Sequence, residues 1–165
     1  MNNLYNKDAK EKIESIVNDV DFAMMATQLT SKPSHIIPMS TKKVDDDGYI
    51  WFLSGRDSEH NSNINKDNKI ELIYSSPKSM TFMSMYAEAH ISLDKKVLEN
   101  LYTSADDNWF EGIDDPNLSA IKVKPLSAHY WEPKDNKLIT LIKMGVGAIT
   151  DNKQNIGESG QLHVN

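Results

Sequence analysis

A chain of 165 residues, of which 39% are hydrophobic, favours one domain with a sizeable core over two independent domains. It contains no cysteine, which excludes disulfides, thiolate nucleophiles and the usual structural zinc sites, so any redox chemistry must come from a cofactor. The formal net charge of −6, with a single arginine, argues against a nucleic-acid partner. Because there is no signal-peptide core and no apolar run near the ~20 residues of a membrane span, we expect no membrane attachment and a cytoplasmic location.

Hydrophobic spacing predicts one helix followed by a meander of strands in the first third of the chain. Residues 8–20 carry isoleucine and valine at helical spacing, which predicts an amphipathic helix. From residue 22 the period changes to that of strands, and we predict strands at 22–27, 35–44 and 49–53. The second and third of these strands are joined by Asp45–Gly48, which has the composition of a tight hairpin turn.

The middle of the chain predicts a short helix followed by two strands. Ser58 is placed as the N-cap of one or two helical turns that extend to Asn65. A fourth strand is predicted at 70–74 and a fifth at 80–93, where apolar and polar side chains alternate as in a strand that buries one face. The predicted buried face of this fifth strand consists of Met83, Met85, Ala87, Ala89, Ile91 and Leu93.

The last third of the chain predicts one more strand between helical segments. Asp94 caps a helix, and an acidic loop at 104–117 leads into a sixth strand at 118–131 that is broken near its proline. Apolar residues at helical spacing predict a closing helix at 138–149, and residues 151–165 form a polar tail. Six mostly antiparallel strands with flanking helices indicate a mainly β (α+β) fold, a six-stranded antiparallel β-barrel that occupies the whole chain as a single domain.

Most of the motifs that could carry chemistry are weak. The five histidines lie at least 25 residues apart, so none forms a local metal-binding pair. Asp45–Gly48 resembles the end of a calcium loop, but no glutamate closes that loop, which favours the hairpin turn. Gly145–Gly147 falls inside or after a helical pattern, where a dinucleotide-binding fingerprint does not belong. The acid pairs at 106–107 and 114–115 lie in the polar loop, where solvated acids are the usual case.

The segment Ser54–Asn61 is the strongest candidate for a binding site. It joins the end of a strand to the start of a helix and contains Ser58, His60 and the only arginine, Arg56. Hydroxyls, backbone N–H groups and a cation that converge at a helix N-terminus are what a phosphate group needs. An ordinary strand-to-helix connection with a solvated arginine is the alternative interpretation of the same residues.

Four stretches of this sequence are similar to those of a known family, and the similarity extends from about residue 10 to residue 164. They are Pro38–Thr41, Trp51–Ser54 followed by Arg56–Ser58, Trp109–Pro116, and Val123–Pro125 followed by Tyr130–Trp131. Through these stretches the chain resembles the pyridoxamine 5'-phosphate oxidase-like superfamily of FMN-binding split barrels, and within it the bacterial general stress proteins. The resemblance implies a six-stranded antiparallel split β-barrel that forms a homodimer with a flavin, FMN or alternatively FAD, at the interface.

The resemblance also implies which residues hold the flavin. The strand at 37–42 would run along the isoalloxazine ring, with the backbone of Met39 and Ser40 near its polar edge. Ser58 and His60 would lie at the phosphate, and the partner subunit would contribute its strand around Phe82 and its Trp109 loop. Carried over by position, the cofactor-binding residues are Ile37, Met39, Ser40, Thr41, Lys42, Leu53, Ser54, Arg56, Ser58, His60, Asn61, Phe82, Ser84, Trp109 and Phe110.

Two departures from the family bear on the phosphate. The family usually has an arginine where Ile37 stands and a lysine where His60 stands, so two phosphate contacts are missing. Lys42, Arg56, a protonated His60 or backbone amides could compensate.

The C-terminal arginine-and-histidine motif of the true oxidases is also absent, so oxidation of pyridoxamine phosphate is not expected. Three functions therefore remain: a flavin-dependent oxidoreductase of unknown substrate, a non-catalytic flavin-binding stress module, and a dimeric barrel that has lost FMN.

Overall fold

The computed structural model describes residues 4–133 and 157–163, which form eight strands, three α-helices and a short 3₁₀ helix. In chain order these elements are β1 (Leu4–Tyr5), α1 (Asn6–Asp19), β2 (Phe22–Thr27), β3 (His35–Val44), β4 (Ile50–Gly55), α2 (Glu59–Lys66), β5 (Lys69–Ser76), β6 (Thr81–Ser92), α3 (Lys95–Leu101), the 3₁₀ helix (Ser104–Asn108), β7 (Leu118–Pro133) and β8 (Gly157–His163). The closing helix predicted at 138–149 lies outside the described residues.

The strands β2 to β7 close into a barrel in which every neighbouring pair is antiparallel. The order around the wall is β7-β4-β3-β2-β5-β6, and β6 pairs with β7 to complete the circle. The predicted mainly β fold, a six-stranded antiparallel barrel with flanking helices, is therefore confirmed. Beyond its pairs with β4, β7 continues as the partner of β8, so the sheet divides at this strand. Closure removes most of the free strand edges that an open sheet would expose.

The end of the chain differs from its prediction as a polar tail. Residues 157–163 form β8, which pairs with β7 and carries the short β1 in parallel on its other side. Only Leu162 gives this strand a large apolar side chain, and it is completely buried. Because the strand is held mainly through its backbone, polarity in the sequence does not reveal it.

The barrel interior is filled by one face of each strand and is covered by α1. The helix buries four residues at helical spacing, as the sequence predicts. The alternation predicted for β6 holds from Met83 to Ala89, whose inward side chains are all buried. Ile91 is half-buried and Leu93 is 52% exposed, because β6 ends at Ser92 and the chain leaves the barrel there.

Two local features in the strands follow from turn and proline chemistry. Gly48 has a φ of +86° in the turn between β3 and β4, and the carboxylate of Asp45 accepts hydrogen bonds from the backbone of that turn and from the indole of Trp51. The hairpin is therefore confirmed. The predicted break at Pro125 is wrong, since β7 is continuous, and the proline is accommodated by a register shift opposite Tyr86 and Ala87.

None of the helices in residues 4–133 and 157–163 combines the length and the apolar character needed to cross a bilayer.

Candidate functional site

The barrel wall has an opening between β3 and β4. Next to the hairpin turn, Val44 of β3 pairs with Ile50 of β4. The pairing then shifts its register and ends where Thr41 pairs with Phe52. Within the described residues, the remainder of β3 at 35–40 then pairs with β2 alone, and the end of β4 pairs with β7 alone. Backbone N–H and C=O groups along two strand edges are thus left to water or to a ligand.

The residues predicted to lie along the flavin ring border this opening. Met39 points into the barrel and is buried, whereas Ser40 is exposed on the outer face. The side chain of Met39 is therefore not available on the outer face, and the predicted contact through its backbone stays a prediction. Ile37 also points inward and packs against the core, so its side chain belongs to the barrel interior. Thr41 is half-buried, and its hydroxyl lies 3.1 Å from that of Tyr74.

On the opposite edge, β4 leads into the start of α2 through a buried hydrogen-bond network. The Ser54 hydroxyl donates to Asn61 Oδ1 over 2.9 Å and lies 3.0 Å from the Ser119 hydroxyl. The amide of Asn61 in turn donates to Ser119. These side chains are buried and have all found partners in the protein, so Ser54 and Asn61 position α2 rather than offer free groups to a ligand. Leu53 packs half-buried against Trp51 and its neighbours.

The start of α2 presents a hydroxyl and an imidazole. Ser58 is the N-cap, as predicted, and its Oγ accepts a hydrogen bond from the backbone N–H of Asn61 over 3.3 Å. The same oxygen lies 3.1 Å from Nε2 of His60. Both residues are half-buried. Beside the exposed charged side chains of Ser54–Asn61, this pair offers a hydroxyl and an imidazole that can still turn toward a ligand.

A second histidine, His35 at the start of β3, faces the same region. Its Nε2 lies 3.6 Å from a carboxylate oxygen of Glu59, and its Nδ1 lies 3.4 Å from the Thr27 hydroxyl. Burial and the proximity of His35 lower the pKa of His60, and Glu59 opposes them only in part. The imidazole of His60 is therefore mainly neutral at pH 7.

The two permanent cations among the predicted site residues are engaged elsewhere. Lys42 forms an ion pair with Asp106, with Nζ at 2.7 and 3.0 Å from the two carboxylate oxygens. Burial would raise the pKa of Asp106, but hydrogen bonds from Lys42 and Thr103 outweigh it and hold that pKa below its usual range. Arg56 is exposed and donates to the carbonyl oxygen of Pro116 over 3.1 Å. Neither cation stands ready beside Ser58.

The loop after α3 carries Trp109 into solvent. The Lys42–Asp106 pair ties the 3₁₀ helix at the start of this loop to β3, and Asp107 accepts a hydrogen bond from Tyr102 over 2.7 Å. Phe110 packs half-buried against the smaller hydrophobic cluster under α3. Trp109 is 83% exposed, although its loop is anchored on both sides. Such an indole is available to a partner or a ligand.

An outer apolar face extends across the barrel from β3 to β7. Met24 pairs with Pro38 and with Ile73, and side chains of paired residues point to the same side of a sheet. The predicted residues Phe82 and Ser84 lie on this face, where Phe82 pairs with Trp131. The large exposed side chains of the face are Phe22, Met24, Ile36, Ile73, Tyr86 and Trp131.

The structure thus brings the predicted residues together in part. Ser54, Ser58, His60 and Asn61 form one cluster, whereas Lys42 and Arg56 are drawn to loops outside it. Phe82 and Ser84 lie on the outer apolar face, and Trp109 is exposed on the loop after α3.

Sequence reasoning missed three participants: His35, Glu59 and Asp106. His35 is far from the others in sequence and meets α2 because β3 starts at the end of the barrel where β4 ends. Asp106 is one of several acids in its loop. The signal that could have identified it is its spacing from Thr103, which is that of a capping box.

Comparison with known proteins identifies a family. The model of the family described as pyridoxamine 5'-phosphate oxidase like matches residues 8–155. A search of curated proteins finds no match to the chain.

Solved structures share the fold at low sequence identity. A putative general stress protein 26 from Jannaschia sp. CCS1 is 20% identical, with a TM-score of 0.76 over 94% of this chain and 98% of that one. A protein from Clostridium acetobutylicum related to general stress protein 26 is 20% identical, with a TM-score of 0.65 over 77% and 90%. A general stress FMN/FAD binding protein from Xanthomonas citri is 21% identical, with a TM-score of 0.67 over 79% and 93%.

Proposed function

The chain belongs to the pyridoxamine 5'-phosphate oxidase-like family. On that premise we propose that it binds a flavin at the opening between β3 and β4, with FMN as the first candidate. The observation that carries the proposal is the opening in an otherwise closed wall, where two strand edges pair with no further strand within residues 4–133 and 157–163. These edges are bordered by Ser40 and Leu53 and lie beside the outer apolar face. FAD is the alternative flavin.

The residues at the opening fit a flavin ring. Its polar edge needs hydrogen-bond donors and acceptors in a row, which the unpaired edge of β3 along residues 35–40 would supply, where alternate residues direct their backbone groups to the opening. Its apolar edge and faces need hydrophobic and aromatic surface, which the outer apolar face and an exposed Trp109 would supply. At the other end, Ser58 and His60 would hold the phosphate by hydrogen bonds.

We further propose that the second wall of the site is a second copy of the chain. Six large apolar side chains exposed on one face are more than a monomer normally leaves to solvent. Phe82 pairs near the end of β7 that is remote from the strand end leading to Ser58, and Trp109 is exposed to solvent, so both side chains would be available to a flavin held by another chain. A homodimer with two flavin sites accounts for both observations.

A bound flavin would supply the electron chemistry. The residues of the chain would bind and orient it and exclude water from one face of its ring. The proposed activity is that of a flavin-dependent oxidoreductase of unknown substrate, and a flavin-holding stress module without turnover is the alternative. The engagement of Lys42 and Arg56 by other residues favours a second candidate, a dimeric barrel that no longer holds FMN.

The absorption spectrum of the purified protein, before and after titration with FMN, tests this proposal. We expect bound FMN and, at pH 5.5, an affinity that falls about tenfold in the double variant Ser58→Ala, His60→Ala, because hydrogen bonds to a charged phosphate are lost. The matched control is Ser62→Ala, His90→Ala, which changes an exposed serine of the same helix and an exposed histidine of β6. Circular dichroism verifies that each variant is folded.

Absence of any flavin band and of any titratable binding would favour the barrel without FMN. Reduction of the bound flavin by NADH or NADPH and its reoxidation by an acceptor would distinguish the enzyme from the passive module.

A further inference from the structure

The phosphate end of the proposed flavin site is poor in permanent positive charge. Lys42 is neutralised by Asp106 at 2.7 Å, and Arg56 donates to Pro116 in the loop before β7. Ile37, where the family usually has an arginine, packs against the barrel core. Of the groups that could compensate, His60 is the one that contacts the N-cap of α2, with its Nε2 3.1 Å from the Ser58 hydroxyl.

Two titratable groups face His60, and they come from two different elements. His35 lies on β3, and Glu59 is its neighbour on α2. His35 is itself within 3.6 Å of Glu59 and within 3.4 Å of Thr27 on β2, so the four residues form one connected cluster. Burial and His35 lower the pKa of His60, and a phosphate bound beside it would raise that pKa again.

We propose that His60 is the residue that determines whether this chain distinguishes FMN from riboflavin, and that it does so only when its imidazole is protonated. The inference rests on the proposed flavin site. When the imidazole is neutral, the phosphate meets a hydroxyl, an uncharged ring and the carboxylate of Glu59, so FMN and riboflavin bind with similar affinity. At lower pH, where the imidazole takes up a proton, the imidazolium forms a charge-assisted hydrogen bond with the phosphate, and FMN is preferred.

The physical reason is that the ring and ribityl chain are common to both ligands. Their contacts with the opening do not depend on the protonation of His60, so they cancel in the ratio of the two dissociation constants. What remains in that ratio is the interaction of the phosphate with Ser58, His60 and Glu59. The ratio therefore reports on the state of one imidazole.

The test is to measure the dissociation constants of riboflavin and of FMN by fluorescence quenching at pH 5.5, 7.0 and 8.5. In the wild type we expect the riboflavin-to-FMN ratio to rise about tenfold from pH 8.5 to pH 5.5. In His60→Gln the ratio should change with pH only by the small amount that the titration of the FMN phosphate itself produces. In His60→Lys, which replaces the titrating imidazole with a permanent cation, it should be high at every pH.

The control variant is His90→Gln, which changes an exposed histidine on β6 and should behave as the wild type. Because the phosphate of FMN itself titrates near pH 6, the Gln variant also serves as the baseline for that common effect. A wild-type ratio that is independent of pH, or a rise that persists in His60→Gln, overturns this inference and leaves the flavin site in place. Binding of neither flavin at any pH overturns the proposed function and this inference with it.

Discussion

The two sides of the barrel wall are built differently. On one side β6 and β7 are paired along their shared length, from Phe82 with Trp131 to Ser92 with Ala120, and the register shifts once. On the other side β3 and β4 pair only around their hairpin and then separate. The closed side has no free edge and buries its inward residues, so it stabilises the fold. The open side leaves backbone and apolar surface to a ligand, which is where a binding function can arise without loss of the core.

Removal of one side chain from each side of the barrel wall tests whether the two sides contribute differently to stability. Met85 lies on β6, paired with Leu72 of β5, and its side chain is buried in the barrel, so Met85→Ala should lower the free energy of unfolding by about 2–5 kcal/mol through lost burial and a cavity. Ile37→Ala at the open side should cost less than half as much, because Ile37 is only half-buried. Urea denaturation of both variants measures the difference. Equal losses would mean that the open side is as important to stability as the closed side.

A charge on the outer apolar face should separate the two copies. Met24→Glu places a carboxylate among Pro38 and Ile73, and we expect the dimer dissociation constant to rise about 100-fold because that charge would be buried on association. Lys43→Glu is the control, since it changes an exposed residue of the β3–β4 hairpin outside this face. Sedimentation velocity over a range of concentrations gives the association state. A variant that remains as dimeric as the control contradicts the proposed interface.

A substitution of Trp109 should weaken FMN binding without changing the stability of the fold. Because its side chain is 83% exposed, Trp109→Ala should leave the free energy of unfolding within about 0.5 kcal/mol of the wild type. The affinity for FMN should fall about fivefold, which is what the loss of one aromatic contact of about 1 kcal/mol produces. Thermal unfolding and FMN titration are measured on the same preparation. A stability loss without an affinity loss would place this indole in the fold and not in the site.

The smallest expected effect is a pH dependence that originates at Asp106. Its pKa in the folded protein is below the unfolded value, so the unfolded chain binds more protons near pH 4 and unfolding becomes more favourable as the pH falls. The stabilisation is fully present above about pH 5 and is lost as the pH falls through the pKa of the folded state. Asp106→Asn should flatten this part of the stability profile. Denaturation midpoints between pH 3 and pH 6 measure it, and identical profiles would show that the Lys42–Asp106 pair does not stabilise the loop.

Much of the fold could be predicted because its signals are local. The alternation in β6, the N-caps at Ser58 and Asp94 and the hairpin at Asp45–Gly48 each depend on residues that are close in sequence. The strand β8 could not be predicted, because it is held by backbone pairing to β7 and carries a single large apolar side chain. This strand is therefore specified by its pairing in the tertiary structure and not by a local sequence pattern.

The candidate site was less predictable for the same reason. The cluster of Ser54, Ser58, His60 and Asn61 is local, and the sequence places it at a helix start. The contact of His35 with Glu59 and the capture of Lys42 by Asp106 depend on which strand ends meet in space. The sequence shows that these charges exist but not which partner neutralises each of them.

A flavin at the opening between β3 and β4, with a second chain as the other wall of its site, ties FMN binding to dimerisation. Titration of FMN into the wild type and into Met24→Glu tests this directly, with stoichiometry from calorimetry and mass from light scattering on the same samples. We expect one FMN per chain in a wild-type dimer and strongly weakened binding in the monomeric variant. Undiminished FMN binding by a monomer, or a wild-type dimer that binds no FMN, would contradict it.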